Sequence, residues 1–292
     1  MDWHSRRIRA IIENALLEDK ATRDATTQAC IDPRQRASGA IIVWSDCVLS
    51  GLGIIPRIFE IFGELDGAVI GHPEVISHPE IFDGVRLHRG QTVAVIRHNA
   101  RALLACERVI LNILQRLTGI ATLTRKFVDA CAGTKVHILD TRKTMPGMRI
   151  LDKYGVRCGG GFNHRLDLSD GVLIKNNHIA LGGGVATVLE NAIKNRQGQQ
   201  PIEIEVRSLD EMEIALQHGA EAILLDNMPV EDVRKAVERL STHSRRVPLE
   251  CSGGIALSNV RSYAETGVDY ISSGALTHSA AALDMSLRIF PI

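Results

Sequence analysis

The chain has 292 residues, 45% hydrophobic and 23% charged, enough to bury a barrel-sized core alone or beside a smaller domain. Lys+Arg and Asp+Glu both total 34, so the net charge is zero, with no basic excess to mark a nucleic-acid or membrane footprint. No apolar run is long enough to span a bilayer, and Asp2, His4, Arg6 and Arg7 precede no apolar leader, so a cytoplasmic protein is expected. The cysteines at 30, 47, 106, 131, 158 and 251 form no CxxC pair and no zinc-ligand spacing, which predicts reduced, structural thiols.

Ile8, Ile11, Ile12, Ala15 and Leu16 recur at helical spacing, so an amphipathic helix opens the chain. Asp32-Pro33 marks a turn. Residues 40–49 (AIIVWSDCVL) read as one strand ended by Gly51-Leu52-Gly53, and 54–62 as a helix. Residues 74–96 read as β-rich, with turns at Asp83-Gly84 and Arg89-Gly90. Leu103, Leu104, Ile110, Ile113, Leu114 and Leu117 predict a long helix over 102–117, and a second helix is expected over 121–130. This first third mixes strands and helices without regular alternation.

Beyond it the grammar changes. Apolar runs at 136–140, 171–175, 202–206, 222–226, 248–252 and 269–273 each end in polar or Gly positions, and helical patterns such as 209–218 and 230–240 separate most of them. Strands alternating with helices mean βαβ units and a parallel sheet. Functional groups at the strand ends suggest an incomplete (β/α) barrel, with a doubly wound open sheet as the alternative. Leu283, Met285, Leu287 and Ile289 then alternate with polar residues, a half-buried strand expected to return to the N-terminal sheet. The expected division is an N-terminal α+β domain over 1–112, joined by 280–292, and an α/β barrel over 113–279.

The segment DTRKTMPG, from Asp140 to Gly147, follows a buried strand and sets Arg142 beside Lys143 on a rigid support. His164-Arg165 and Lys175 deliver more positive charge from other strand ends, which suggests a multiply anionic substrate. Glu203 and Glu205 share one strand face, and Asp226 ends another strand. These acids either neutralise Arg165 and Lys175 or, for Glu205 and Asp226, also hold Mg²⁺. Ser252-Gly253-Gly254 and Ser273-Gly274 end the last two strands, where backbone N–H groups can cradle a phosphate, with His278 close behind. Gly159-Gly160-Gly161 is either a hinge or a device that presents His164 and Arg165, and Gly182-Gly183-Gly184 reads as a loop. His164 and His178 each read equally as a core residue or a ligand contact. Neither a nucleophile triad nor a Walker A loop is present. The set suits a phosphorylated sugar carrying a diphosphate, with a carboxylate partner.

These motifs resemble the quinolinate phosphoribosyltransferases, also called nicotinate-nucleotide pyrophosphorylases (carboxylating). The resemblance rests on Glu107-Arg108, Leu111-Asn112, LTGIAT from Leu117, DTRKTMPGMR from Asp140 and KYGVRCGGGFNHRLDL from Lys153. It continues through LIKNNHI, IEIEV, ILLDN, ECSGGI and ISSGALTHS, in family order from about residue 15 to 279. It implies an N-terminal sandwich-like α+β domain with an incomplete barrel. It also implies a pentosyltransferase that joins quinolinate to phosphoribosyl pyrophosphate with Mg²⁺, releasing CO₂ in NAD biosynthesis. Carried over, Arg108, Arg142, His164, Arg165 and Lys175 contact quinolinate. Lys143, Glu205, Asp226, Ser252, Gly253, Gly254, Gly274 and His278 hold the phosphoribosyl donor. Lys143, Lys175, Glu205 and Asp226 are catalytic, and Glu205 and Asp226 serve the metal. The resemblance further implies a homodimer in which Arg108 reaches the neighbouring site.

Three positions depart from the family pattern: Arg23 and His98 where Gly is common, and Asn176 where Asp is frequent. Competing readings are a relative acting on another aromatic acid, a Schiff-base aldolase using Lys175, and a ligand-binding protein without turnover.

Overall fold

The computed structural model describes residues 1–67, 71–243 and 245–292. In chain order the elements are α1 (Arg6–Glu18), α2 (Ala25–Cys30), β1 (Arg36–Val43), β2 (Cys47–Val48), α3 (Ile54–Asp66), β3 (Glu74–Ile76), β4 (Arg86–Leu87), β5 (Thr92–Asn99) and α4 (Ala100–Ala130). There follow β6 (His137–Leu139), α5 (Arg149–Cys158), β7 (Val172–Ile174), α6 (Asn176–Leu181), α7 (Val185–Asn195), β8 (Ile202–Val206), α8 (Leu209–Gln217), β9 (Ala222–Asp226) and α9 (Val230–Thr242). The chain ends with β10 (Leu249–Ser252), α10 (Val260–Ala264), β11 (Tyr270–Ser272), α11 (Ala275–His278) and β12 (Met285–Pro291). It forms two compact units, one of residues 1–123, 145–160 and 280–292, the other of 124–144 and 161–279.

The first unit is built on an antiparallel sheet in the order β12-β1-β5-β3. Along β1 every second residue from Ala37 to Val43 is buried, the alternation that one covered sheet face produces. Ile8, Ile12 and Leu16 of α1, and Ile54, Ile58 and Phe62 of α3, join the same core. The C-terminal strand pairs with β1 as expected, Ile41 opposite Leu287. Arg116 of α4 grips the fully buried Asp152 of α5 through two bonds of 2.8 and 2.7 Å, and the Met145 N–H adds a third at 3.1 Å.

Two expectations are corrected. The strand over 40–49 is two strands, because the chain leaves the sheet at Trp44-Ser45-Asp46 before β2 pairs with β4. The helices over 102–117 and 121–130 are one continuous helix, α4. Thr118-Gly119 lowers helix propensity but removes no hydrogen bond, so the helix runs on. It passes straight through 112/113, where the sequence grammar changes. Helices α5 and α7 were not foreseen at all, and glycines at 155 and 182–184 obscured them.

His98 on β5 is fully buried, its ring edge-on to Phe59 with centroids 5.1 Å apart. Among the described residues neither ring nitrogen has a hydrogen-bond partner. Burial, and after it the charge of Arg36, push its pKa from 6.5 down to about 4. The unfolded chain therefore takes up this proton first as pH falls. Stability is whole above 6.5 and is lost as pH drops toward 4, by about 3 kcal/mol from this group. Replacing His98 with leucine is expected to stabilise by about 1 kcal/mol at neutral pH, by removing the orphaned nitrogens. Its advantage should widen in urea melts between pH 6.5 and 4; a constant difference would rule this account out.

The second unit holds a parallel sheet in the order β6-β11-β10-β9-β8-β7. Among the described residues β6 and β7 are not paired, so the barrel is incomplete rather than closed. Phe162 adds a parallel bridge at Leu139, outside β6. Strands β8 and β9 are apolar and buried over most of their length, as parallel strands covered on both faces must be. Register sets the strand ends level: Ser252 lies beside Asp226, and Ser272 beside Leu139. The cysteines at 30, 47, 106, 131, 158 and 251 are free thiols. Among the described residues no helix is long and apolar enough to cross a membrane.

Candidate active site

A cavity of about 660 Å³ opens at the carboxyl ends of the parallel strands. Arg142, Lys143, His164, Arg165 and Lys175 line it, with Glu205 and Asp226 among them. Ser252, Gly253, Gly254, Gly274 and His278 line it as well. The expected site residues of this unit are thus brought together by six strand ends, the place where parallel α/β sheets bind ligands. Arg108 is not among the lining residues; it is exposed on α4.

The cations are held without full compensation. Arg142 has a buried Nε with no hydrogen-bond partner among the described residues. Arg165 donates to the Gly171 carbonyl at 3.0 Å. Burial, then the neighbouring Arg142 charge, lower its pKa. Like charges held together in a half-buried cavity favour an anionic ligand. Lys175 pairs with Glu205 at 3.2 Å, as one reading of the acids expected. Asp226 instead pairs with Arg207 at 3.4 Å, a partner the sequence did not suggest.

Both ring nitrogens of His164 face protein partners while the residue lines the cavity. Its Nδ1 accepts the Arg165 backbone N–H at 2.7 Å, which assigns the ring proton to Nε2. Nε2 faces Glu203 at 3.1 Å and Glu250 at 3.6 Å. Glu250 is almost wholly buried, and burial, then the Glu203 charge, raise its pKa. Glu250 lines the cavity and was missed by the sequence reading. The signal was available: it sits two residues before Ser252, so on a strand the two share a face.

The turns after β10 and β11 leave little room for a side chain at Gly253 and Gly274. A Cβ at Gly253 would lie 2.4 Å from Asn227 Oδ1, and one at Gly274 would lie 2.8 Å from Lys143 Cδ and 3.0 Å from the His278 ring. Gly253 also adopts φ +91°, which favours glycine. Thr277 Oγ donates to the Lys143 carbonyl at 2.9 Å, tying the α11 turn to the cationic loop. Asn227, itself at φ 55°, was a further unforeseen lining residue. Glu205 is buried and Asp226 half-buried, and both offer oxygen donors in the same cavity, a set that fits a hard divalent cation. Neither Arg23 nor Asn176 disturbs this: Arg23 has no positive φ, and Asn176 opens α6 outside the cavity lining.

Comparison with known proteins gives the same picture. The quinolinate phosphoribosyl transferase N-terminal domain model matches residues 24–118, and the C-terminal domain model matches 120–288. A nicotinate-nucleotide pyrophosphorylase [carboxylating] of Mycobacterium leprae is 42% identical, covering 96% of each chain. A probable nicotinate-nucleotide pyrophosphorylase [carboxylating] of Bacillus subtilis is 38% identical, covering 97% of this chain and 93% of that one. The crystal structure of NadC from Streptococcus pyogenes superimposes with a TM-score of 0.91 at 36% identity, covering 100% of this chain and 99% of that one. With both domain models matched in order and the cationic cavity at the strand ends, the chain belongs to the quinolinate phosphoribosyl transferase family.

Proposed function

We propose that this protein transfers the phosphoribosyl group of phosphoribosyl pyrophosphate to quinolinate with decarboxylation, giving nicotinate mononucleotide, pyrophosphate and CO₂ on the way to NAD. The observation that carries this is one cavity lined by Arg142, Lys143, Arg165 and Lys175, with the Arg142 Nε buried and, among the described residues, without a partner. The names of its relatives support the same reaction.

In this reading Arg142, Arg165 and Lys175 grip the two carboxylates, guanidinium forks matching carboxylate geometry. Lys143 faces the pyrophosphate. Ser252, Gly253, Gly254, Gly274 and His278 hold the 5-phosphate. Glu205 and Asp226 would hold Mg²⁺, which when bound neutralises charge on the departing pyrophosphate. The pyridine nitrogen's lone pair bonds to the anomeric carbon as the bond to pyrophosphate breaks and its electrons leave with the oxygen. Carboxylates at Glu205 and Asp226 favour the cationic ribosyl centre that develops. The ring nitrogen is then positive. The adjacent ring–carboxylate bond breaks, CO₂ leaves, and the electron pair left on the ring carbon then forms a C–H bond with a proton from water. The chain's part is to orient that carboxylate and strip its hydration before the bond breaks, water reaching the ring carbon only afterwards.

The test is product formation from quinolinate and phosphoribosyl pyrophosphate, with and without Mg²⁺, and with nicotinate in parallel. Mg²⁺-dependent nicotinate mononucleotide with one CO₂ is expected from quinolinate alone. Turnover of nicotinate without CO₂ would reject decarboxylation, and no turnover of either would reject the reaction.

The same proposal places the protein in the cytoplasm as a homodimer, Arg108 completing the partner's site. Arg108→Ala and Arg142→Ala should each be nearly inactive at a quinolinate concentration that just saturates the wild type. Co-expressed, they should recover about a quarter of wild-type activity, because half the dimers are mixed and each has one whole site. A mixture no more active than either variant would show that Arg108 does not act across subunits.

A further inference from the structure

The loop carrying His164 and Arg165 is fastened to β6 by a buried carboxylate as well as by backbone bonds. Asp140 directly follows β6 and is fully buried. Its Oδ1 accepts the His164 backbone N–H at 2.9 Å, and its Oδ2 accepts the Asn163 side-chain amide at 2.6 Å. Just before them, the Asp140 N–H donates to the Phe162 carbonyl at 3.1 Å and the Phe162 N–H to the Ile138 carbonyl at 2.8 Å. Residues 162–164 are thereby stitched to 138–140. Asp140 lies two residues before Arg142 and three before Lys143. The backbone bonds end at Phe162, and the Asp140 carboxylate carries the register on to 163–164, between the loop bearing Arg142 and Lys143 and the loop bearing Arg165.

A buried carboxylate is costly unless the bonds it accepts offset its lost hydration. Asp140 is not among the residues lining the cavity. Its bonds to the 163–164 loop serve the scaffold, yet they act on the residues that meet the ligand. Paired guanidinium–carboxylate bonds weaken steeply with misalignment, so the register of these two loops controls affinity for an acceptor with two carboxylates.

We propose that Asp140, with Asn163, is the positioning residue of the dicarboxylate subsite: it aligns Arg165 with Arg142 and does not touch substrate. This rests on the quinolinate reading of the cavity. The hold runs on through the His164 ring, whose Nδ1 accepts the Arg165 N–H and whose Nε2 meets Glu203.

The decisive experiment is a polarity swap. Asp140→Ala removes both bonds. Asp140→Asn keeps an acceptor for the His164 N–H but sets two amide groups donor to donor, unless Asn163 turns over. The double variant Asp140→Asn/Asn163→Asp reverses the pair, keeping the net charge, the bond between the two side chains and an acceptor for the His164 N–H. KM for each substrate, thermal melting, and amide hydrogen exchange at His164 and Arg165 are measured in the full-length protein. Asp140→Ala is expected to raise KM for quinolinate by about tenfold or more, leave KM for phosphoribosyl pyrophosphate within about twofold, and speed exchange at His164. The double variant should return to within about threefold of wild type in KM for quinolinate.

A folded Asp140→Ala protein with unchanged KM and exchange would overturn the proposal. So would equal losses on both substrates, or a folded double variant no better than Asp140→Asn alone. If the alanine variant does not fold, the two shape-preserving variants decide. Wild-type protein that fails to bind quinolinate would instead reject the function reading, while exchange at His164 would still decide whether Asp140 holds the loop.

Discussion

Arg142→Ala should raise KM for quinolinate by about a hundredfold while the protein stays folded, since one carboxylate loses a bidentate partner. Among the described residues the buried Arg142 Nε has no partner, so this donor adds nothing to stability in the free state. Its charge also helps hold the Arg165 pKa down, which marks the two guanidinium groups as mutually repulsive. Removing one relieves that repulsion. The melting temperature should therefore hold or rise slightly as binding is lost, the usual exchange between stability and function at a preorganised site. Arg142→Lys should recover little, because an ammonium cannot form the paired bonds of a planar fork. Quinolinate calorimetry alongside steady-state kinetics checks both statements. An unchanged KM in a folded alanine variant would remove Arg142 from the site.

Gly119→Ala should destabilise the protein by about 3 kcal/mol, although alanine normally gains about 1 kcal/mol over glycine inside a helix. The helix propensity is outweighed by a collision. A Cβ at 119 would lie 2.0 Å from the Ala281 carbonyl oxygen and 3.0 Å from its carbonyl carbon, both backbone atoms. The segment before β12 cannot easily retreat. The Leu283 N–H donates to the Gln115 carbonyl at 3.1 Å, and Gln115 Nε2 donates to the Met285 carbonyl at 3.2 Å. Urea unfolding gives the measurement. Wild-type stability in the variant would mean that this segment does not seat against α4.

The periodic parts of the chain could be read directly. Strands β8 and β9 and helices α8 and α9 are long enough for their apolar pattern to settle the type of element, and the polar residue after each strand marks the binding end. The weaker elements could not be read this way. Strand β1 looked continuous with β2 because Val43 and Val48 suit a strand equally well on either side of the break, and Trp44 within it suits one too. Helix α5 was masked by its own Gly155, which is there because a Cβ would meet Ile120 Cγ2 at 3.0 Å. A packing requirement at such a position reads in sequence as a helix breaker.

The site divides along the same line. Sequence alone determined the residue types at the strand ends: Arg142-Lys143, Arg165 and Lys175 as cations, Glu205 and Asp226 as acids, and glycine turns for a phosphate. Local order fixes these, since each is set by its own strand's end. Only the tertiary structure decided the pairing: Glu205 with Lys175, Asp226 with Arg207, His164 with Glu203 and Glu250, and Asp140 with Asn163 and the His164 N–H. Those partners lie on different strands and loops, from 19 to 86 residues apart in sequence for the ion pairs. No local pattern encodes which side chain another strand's end will meet, because that depends on the parallel register and on the curvature of the sheet.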